Sequence, residues 1–301
     1  MRMLKACDPR RGATSTTAAR TRLAGVALAG LLALGLLFAW PAPAQAEIDV
    51  AGWTFKDLAS HNVRIGFDLA FDAERVAWMK LSDGQMDLFL LELASGTETR
   101  ITDSVGGKYG VALDDSHLTW VAREEGATLL ATLWLRGLDT GETKQIAQGR
   151  IMPEDRVQIA GDHVAWSQYD VAPGGDQYER ALYLHTISSG TTVRVTNALS
   201  WANGGSGGST AFDLTDTHLA FVAVDPPEVW LYDIQAGAAE KLGQSSTAWT
   251  HVSLAGDLAT WATQTGTGPF PFYEPADIFL HHISSGVTEK IATIKTPEPY
   301  P

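Results

Sequence analysis

The sequence predicts an all-β protein: a β-propeller of five four-stranded blades, preceded by an N-terminal signal peptide. Three observations lead there. A nine-residue segment ending in glycine recurs five times without gaps, an aromatic residue stands upstream of it in every copy, and the glycines lie 45, 49, 47 and 49 residues apart. Units of that length hold four short strands with their turns, which is what one propeller blade requires.

Taken in chain order, the N-terminus is separate from the repeats. Arg2, Lys5, Arg10, Arg11, Arg20 and Arg22 precede an apolar stretch from Leu23 to Trp40, and Pro41-Ala-Pro-Ala-Gln-Ala46 follows. Positive charge, an apolar core and an Ala-x-Ala ending are the order of a signal peptide over 1–46, cleaved before Glu47. An uncleaved anchor is the alternative, because an apolar stretch of about 18 residues is near the lower limit for spanning a bilayer. The prolines and the cleavage pattern favour removal, so no membrane span is expected afterwards. Arg10-Arg11 resembles a twin-arginine signal but lacks its usual continuation.

Cys7, the only cysteine, lies in the segment to be removed. The mature chain is therefore expected to have no disulfide, no cysteine-ligated metal and no cysteine nucleophile. Cleavage also takes away six basic residues and one acid, which moves the net charge from −13 to −18. So acidic a surface repels nucleic acid and anionic lipid, and neither is expected as a partner. The remainder is 47–66, an N-terminal segment; 67–292, the propeller; and 293–301, a Pro-rich tail. At 45% hydrophobic and 19% charged residues of both signs, the composition is that of a globule with a large core.

The repeat itself reads Leu88-Phe-Leu to Gly96, Leu133-Trp-Leu to Gly141, Leu182-Tyr-Leu to Gly190, Val229-Trp-Leu to Gly237 and Ile278-Phe-Leu to Gly286. Five residues past each glycine comes Ile101, Ile146, Val195, Leu242 or Ile291. The upstream halves align on Trp78, Trp120, Trp166, Phe221 and Trp261, with Leu69, Val111, Val157, Phe212 or Val252 nine residues earlier. Each unit is thus strand a, tight turn, strand b, variable loop, strand c, glycine turn and strand d. Strand c is apolar on both faces, as a strand between two neighbouring blades should be. A stripe of Trp and Phe can also be a stacking site, but recurrence in all five units makes it core. Each glycine is a turn residue that permits positive φ.

The run Val164-Ala-Trp166, Leu182-Tyr-Leu184, Ser189-Gly190-Thr191 and Arg194-Val-Thr196 resembles the blades of TolB-like propellers, as do Asp139-Thr-Gly141-Glu and Ser95-Gly96-Thr with their following strands. The resemblance covers about residues 67–292. It implies a periplasmic or cell-surface β-propeller. The TolB propeller itself is implied to have six blades and a separate N-terminal domain, whereas five blades and a short N-terminal segment are present here. Trp53-Thr-Phe-Lys-Asp-Leu58 resembles a further strand d, which makes it a candidate clasp strand. A closed five-bladed ring is expected, since closure removes exposed strand edges; the alternative is the front part of a longer propeller.

In a propeller the a–b and c–d turns lie on one face and the b–c and d–a connections on the other. Here the first set is uniformly short, and the length variation falls in the second. Variable loops on a fixed scaffold are where binding is built. They hold Tyr169, Asp170, Tyr178, Trp201, Trp249, Phe270, Phe272, Tyr273 and Glu274, aromatics beside carboxylates that suit sugar or peptide contact. The plain alternative is that these aromatics pack beneath long loops.

Signals for chemistry are sparse. Asp68 and Asp213, on inner strands of the first and fourth blades, are candidate acid/base or nucleophile residues of a glycoside hydrolase, which needs two carboxylates roughly 5 to 9.5 Å apart. His117, His163 and His218 share one repeat position, but separate blades keep them apart, so turn capping is expected of them and not metal binding. Asp170 and Asp176 share a loop without calcium-loop spacing. No cofactor motif is present. The expected function is a noncatalytic binding or scaffold propeller of the cell envelope, a monomer engaging a protein or polysaccharide through its b–c/d–a face. A propeller glycoside hydrolase and a structural module of a larger surface protein are the alternatives.

Overall fold

A computed structural model describes residues 69–123, 126, 130–152, 156–171, 178–197, 212–223, 227–244, 251–264 and 276–294. The chain divides into two compact units, Met1–His61 and Asn62–Pro301, and every described residue belongs to the second. The signal peptide, the 47–66 segment and residues 295–301 of the tail lie outside the described residues.

Twenty strands form five antiparallel four-stranded sheets, each a blade in simple meander order. The first blade is β1 (Leu69–Phe71), β2 (Arg75–Ser82), β3 (Gln85–Glu92) and β4 (Thr97–Arg100). The second is β5 (Lys108–Leu113), β6 (His117–Arg123), β7 (Ala131–Gly137) and β8 (Thr143–Gly149). The third is β9 (Val157–Ala160), β10 (His163–Val171), β11 (Tyr178–Thr186) and β12 (Thr191–Thr196). The fourth is β13 (Phe212–Leu214), β14 (His218–Ala223), β15 (Glu228–Asp233) and β16 (Ala238–Gln244). The fifth is β17 (Val252–Ala255), β18 (Leu258–Gln264), β19 (Ala276–His282) and β20 (Val287–Ile294). The last strand runs to Ile294, two residues past the propeller end expected from the repeat.

The turns repeat as closely as the strands. In every blade the residue four before the strand b aromatic (Glu74, Ser116, Asp162, Thr217, Asp257) accepts a backbone hydrogen bond from the c–d turn, at 2.7 to 3.0 Å. Gly96, Gly141, Gly190, Gly237 and Gly286 close that turn at φ between 63° and 69°, a left-handed conformation that a Cβ would strain. The strand c to strand d pairing shifts register just before the strand c aromatic in the second to fifth blades, a bulge that adds twist.

Four hydrophobic cores lie between the sheets. Ala77, Met79, Leu88 and Leu90 of the first blade meet Val111 and Trp120 of the second. Val121, Leu133 and Leu135 meet Val157 and Trp166; Ala165, Leu182 and Leu184 meet Phe212 and Phe221; Ala220, Val229 and Leu231 meet Val252 and Trp261. Each interface joins the strand b and c faces of one blade to strand a and the strand b aromatic of the next. The strand b aromatics are buried; those of strand c are half-buried in the second to fifth blades, where Tyr183 and Phe279 stack on their strand b neighbours at 5.5 and 5.4 Å, and buried in the first, at Phe89.

No such core joins the fifth blade to the first among the described residues. Leu69 and Phe71 are 48% and 62% exposed, while their fifth-blade counterparts Val252 and Leu254 are 2% and 9% exposed. At the other end Ile278 and Leu280 are half-buried where Leu88 and Leu90 are buried, and Ile291 is 52% exposed. Trp78 is buried on the same side of the seam. Among the described residues, therefore, four interfaces between blades hold a hydrophobic core and the one between the fifth and first does not. The strand a residues at the seam have the same apolar chemistry as their buried counterparts, so the repeat pattern carries no trace of the difference.

Candidate functional site

The b–c/d–a face has two polar groupings, one around the axis and one on the third blade. The axial group grows from one register position, the second residue of the aligned strand a segments: Ala70, Ala112, Gln158, Asp213 and Ser253. Polar side chains stand there in the last three blades, and they tie neighbours together. Gln158 Nε2 donates to the Phe212 carbonyl at 3.3 Å; Leu254 N and Ser253 Oγ donate to Asp213 Oδ2 at 2.7 and 3.1 Å, and Leu214 N donates to Oδ1 at 3.1 Å. Burial pushes the Asp213 carboxyl above its ordinary value, against these hydrogen bonds. Arg156 and His251 adjoin; burial lowers both, and Arg156 lowers His251 further. A cavity of about 270 Å³ opens along the inner strands of the first four blades, lined mainly by apolar side chains with Gln158 and Asp213.

This arrangement gives Asp213 a structural task. Two of its donors come from β17, so it fastens the fourth blade to the fifth across the inner strands. Its proposed catalytic partner Asp68 lies outside the described residues, as do Trp201, Trp249, Phe270, Phe272, Tyr273 and Glu274. Of the predicted binding residues three are described, Tyr169, Asp170 and Tyr178, and they lie on paired strands of the third blade.

Tyr169 and Asp170 end β10, and Tyr178 begins β11, paired directly with Val171. Strand alternation puts Tyr169, Val171 and Tyr178 on one face of the sheet and Asp170 on the other. On the first face Arg150, at the end of the second blade, bridges by its carbonyl to the Tyr169 amide at 3.0 Å. Its guanidinium carbon lies 4.1 Å from the Tyr178 ring centroid and 5.7 Å from that of Tyr169. Tyr178 stays 53% exposed and Val171 is exposed beside it. A cation held against aromatic faces is worth about 0.5–2 kcal/mol according to its hydration. On the opposite face Asp170 accepts from Gln168 Nε2 at 2.8 Å and from the Tyr183 hydroxyl, with Arg194 at 3.6 Å. Burial and then Asp170 push the Tyr183 hydroxyl up to about 12.

Arg150, Tyr183 and Arg194 were not candidates from sequence, yet a signal for Arg194 existed. Four residues past each turn glycine stands Arg100, Gln145, Arg194, Lys241 or Lys290, and thirteen before it Asp87, Thr132, Ala181, Glu228 or Asp277. Where the acid is present the pair forms: Arg100 with Asp87 at 2.5 Å, Lys241 with Glu228, and Lys290 with Asp277 at 3.4 Å. Only the third blade pairs a cation with an alanine, and there Arg194 turns to Asp170.

Capping of the turn ahead of His117 and His218 falls to the residue three before, whereas His163 has Ala160 there. Asp114 Oδ1 accepts from His117 N at 2.8 Å and Thr215 Oγ1 from His218 N at 3.1 Å. Among the described residues no cluster of three His, Cys, Asp or Glu could hold a metal ion. None of their helices is long and apolar enough to cross a membrane.

No family model matches the chain, and no curated protein does. Solved structures do. Dipeptidyl peptidase 4 from Porphyromonas gingivalis is 13% identical with a TM-score of 0.53, covering 79% of this chain and 40% of that one. A puromycin hydrolase is 13% identical at 0.51, covering 83% and 41%. TolB from Acinetobacter baumannii is 17% identical at 0.46, covering 82% and 58%. The chain thus spans less than two thirds of the length of these proteins. At such identities the matches with a TM-score above 0.5 speak for the fold alone: with its five four-stranded antiparallel sheets the chain is an all-β propeller of five blades.

Proposed function

We propose that the protein is an exported, noncatalytic binding or scaffold propeller of the cell envelope, which engages a protein or polysaccharide through its b–c/d–a face. The signal-peptide pattern of residues 1–46 supports export to the periplasm, cell surface or medium. The observation that carries the binding reading is the third-blade patch, where Tyr178 is held by Arg150 and still presents half its surface to solvent. Among the described residues the opposite face shows no cation held against an exposed tyrosine ring. Its turns are closed by their own backbone bonds and by side chains such as Asp162 and Asp257, which take up Ser188 and Ser284.

The test is a comparison of faces. Mature protein immobilised by its C-terminus is exposed to solubilised envelope, and the bound material is compared for wild type, Tyr178→Ala on the b–c face and Ser189→Ala on the c–d face. Tyr178→Ala should lose most of the bound material at an unchanged melting temperature, with Ser189→Ala like wild type. Equal recovery by all three would set the reading aside.

A further inference from the structure

Arg150 has a property that packing alone does not require. Its guanidinium lies against two tyrosine rings, its Nε is buried without a hydrogen-bond partner, and among the described residues no carboxylate pairs with it. This occurs on a chain of net charge −13, −18 once residues 1–46 are removed, in which Arg75, Arg100, Lys80, Lys108, Lys241 and Lys290 all meet acids; Arg123, 5.7 Å from the Tyr109 ring with its Nε also buried and unbonded, is the comparable case, but it lies against one ring and Arg150 against two. Arginine presents a planar fork of donors that matches a carboxylate, and stacking on aromatic rings holds that fork without satisfying it.

Resting on the binding face argued above, we propose that Arg150 anchors a carboxylate of the ligand, and that the ligand is a polysaccharide bearing a uronate whose ring lies along Tyr178, the local cation offsetting the repulsion that the acidic chain as a whole exerts on anions. The neighbouring backbone favours a sugar over a peptide. Strand-addition and carboxylate nests both need free main-chain amides. Here the Tyr169 amide is already bonded to the Arg150 carbonyl, and Tyr178 and Val171 are paired across β10 and β11. What the patch offers is side-chain chemistry alone: a flat exposed ring for the apolar face of a sugar, and a charged fork within 4.1 Å of that ring for its acid. A neutral glycan would leave the fork unmatched. The Tyr169 ring centroid lies 5.7 Å from the same guanidinium carbon.

Titration calorimetry at fixed salt, on the mature chain, decides this with three probes: a uronic-acid oligosaccharide, the same oligosaccharide with its carboxyls reduced to alcohols, and oligoglutamate. Wild type should bind the uronate roughly tenfold to a hundredfold more tightly than the reduced sugar, the loss expected for one charge-assisted contact. Arg150→Ala should abolish that preference, Arg150→Lys should restore little of it, and Tyr178→Ala should weaken both sugars; melting curves check that each variant is folded. Equal affinity for the uronate and the reduced sugar, no uronate binding, or an unchanged preference in folded Arg150→Ala would overturn the proposal. Binding of oligoglutamate in place of uronate would overturn it in favour of a protein ligand. These outcomes leave the envelope comparison of Tyr178→Ala with Ser189→Ala standing or falling independently.

Discussion

At the scale of the residue, the most constrained carboxylate is Asp87. It is wholly buried, accepts from Lys108 Nζ and Thr102 Oγ1 at 3.0 Å each and from Arg100 Nη2 at 2.5 Å, and so couples three elements of the first two blades. Burial alone would raise its carboxyl; the bonds from Lys108, Arg100 and Thr102 outweigh burial and hold it below the ordinary value. Asp87→Asn leaves Lys108 buried without its charge partner and should cost about 3–5 kcal/mol at neutral pH. A carboxyl lowered in the folded state contributes stability above its unfolded value, and loses it as pH falls through the folded one. Urea unfolding from pH 7 to pH 3 should therefore show a smaller acid-induced loss for Asp87→Asn than for wild type. Parallel curves would mean the acid sensitivity lies elsewhere. None of this could be read from the sequence: the acid–base spacing of thirteen was visible, but Lys108 joins the pair from the following blade and shares no repeat position with the others.

At the scale of the element, the repeat was legible because every strand answers to the same two neighbours. The aromatic of strand b, the apolar strand c and the turn glycine each do one physical job five times, and periodicity reveals jobs of that kind. Exceptions to the repeat were harder to see, and the residues proposed to bind and the exposed seam both lie there. Tyr178 and Arg150 belong to connections of unequal length; Leu69 and Phe71 look like every other strand a pair and yet stand at the seam. Trp166→Ala, between the second and third blades, should cost about 3–5 kcal/mol by leaving a cavity. Phe71→Ala, at a site already 62% exposed, should cost under about 1 kcal/mol. Denaturant melts of the two variants give the comparison, and a Phe71→Ala loss as large as that of Trp166→Ala would show the seam to be sealed in solution.

At the scale of the whole molecule, five blades of a strongly acidic chain form the frame behind the b–c/d–a face proposed to bind. Four interblade cores and the polar ties of Gln158 and Asp213 hold the blades in order, and the b–c/d–a connections emerge from that frame. Which face binds is the claim on which the rest depends. Hydrogen exchange measured with and without the captured envelope ligand tests it most directly. Added protection should concentrate on amides of residues 168–171 and 178–180 at the b–c end of the third blade, leaving the turns that end in Gly96, Gly141, Gly190, Gly237 and Gly286 unchanged. Protection gathered on those glycine turns, with residues 168–180 exchanging as before, would contradict it.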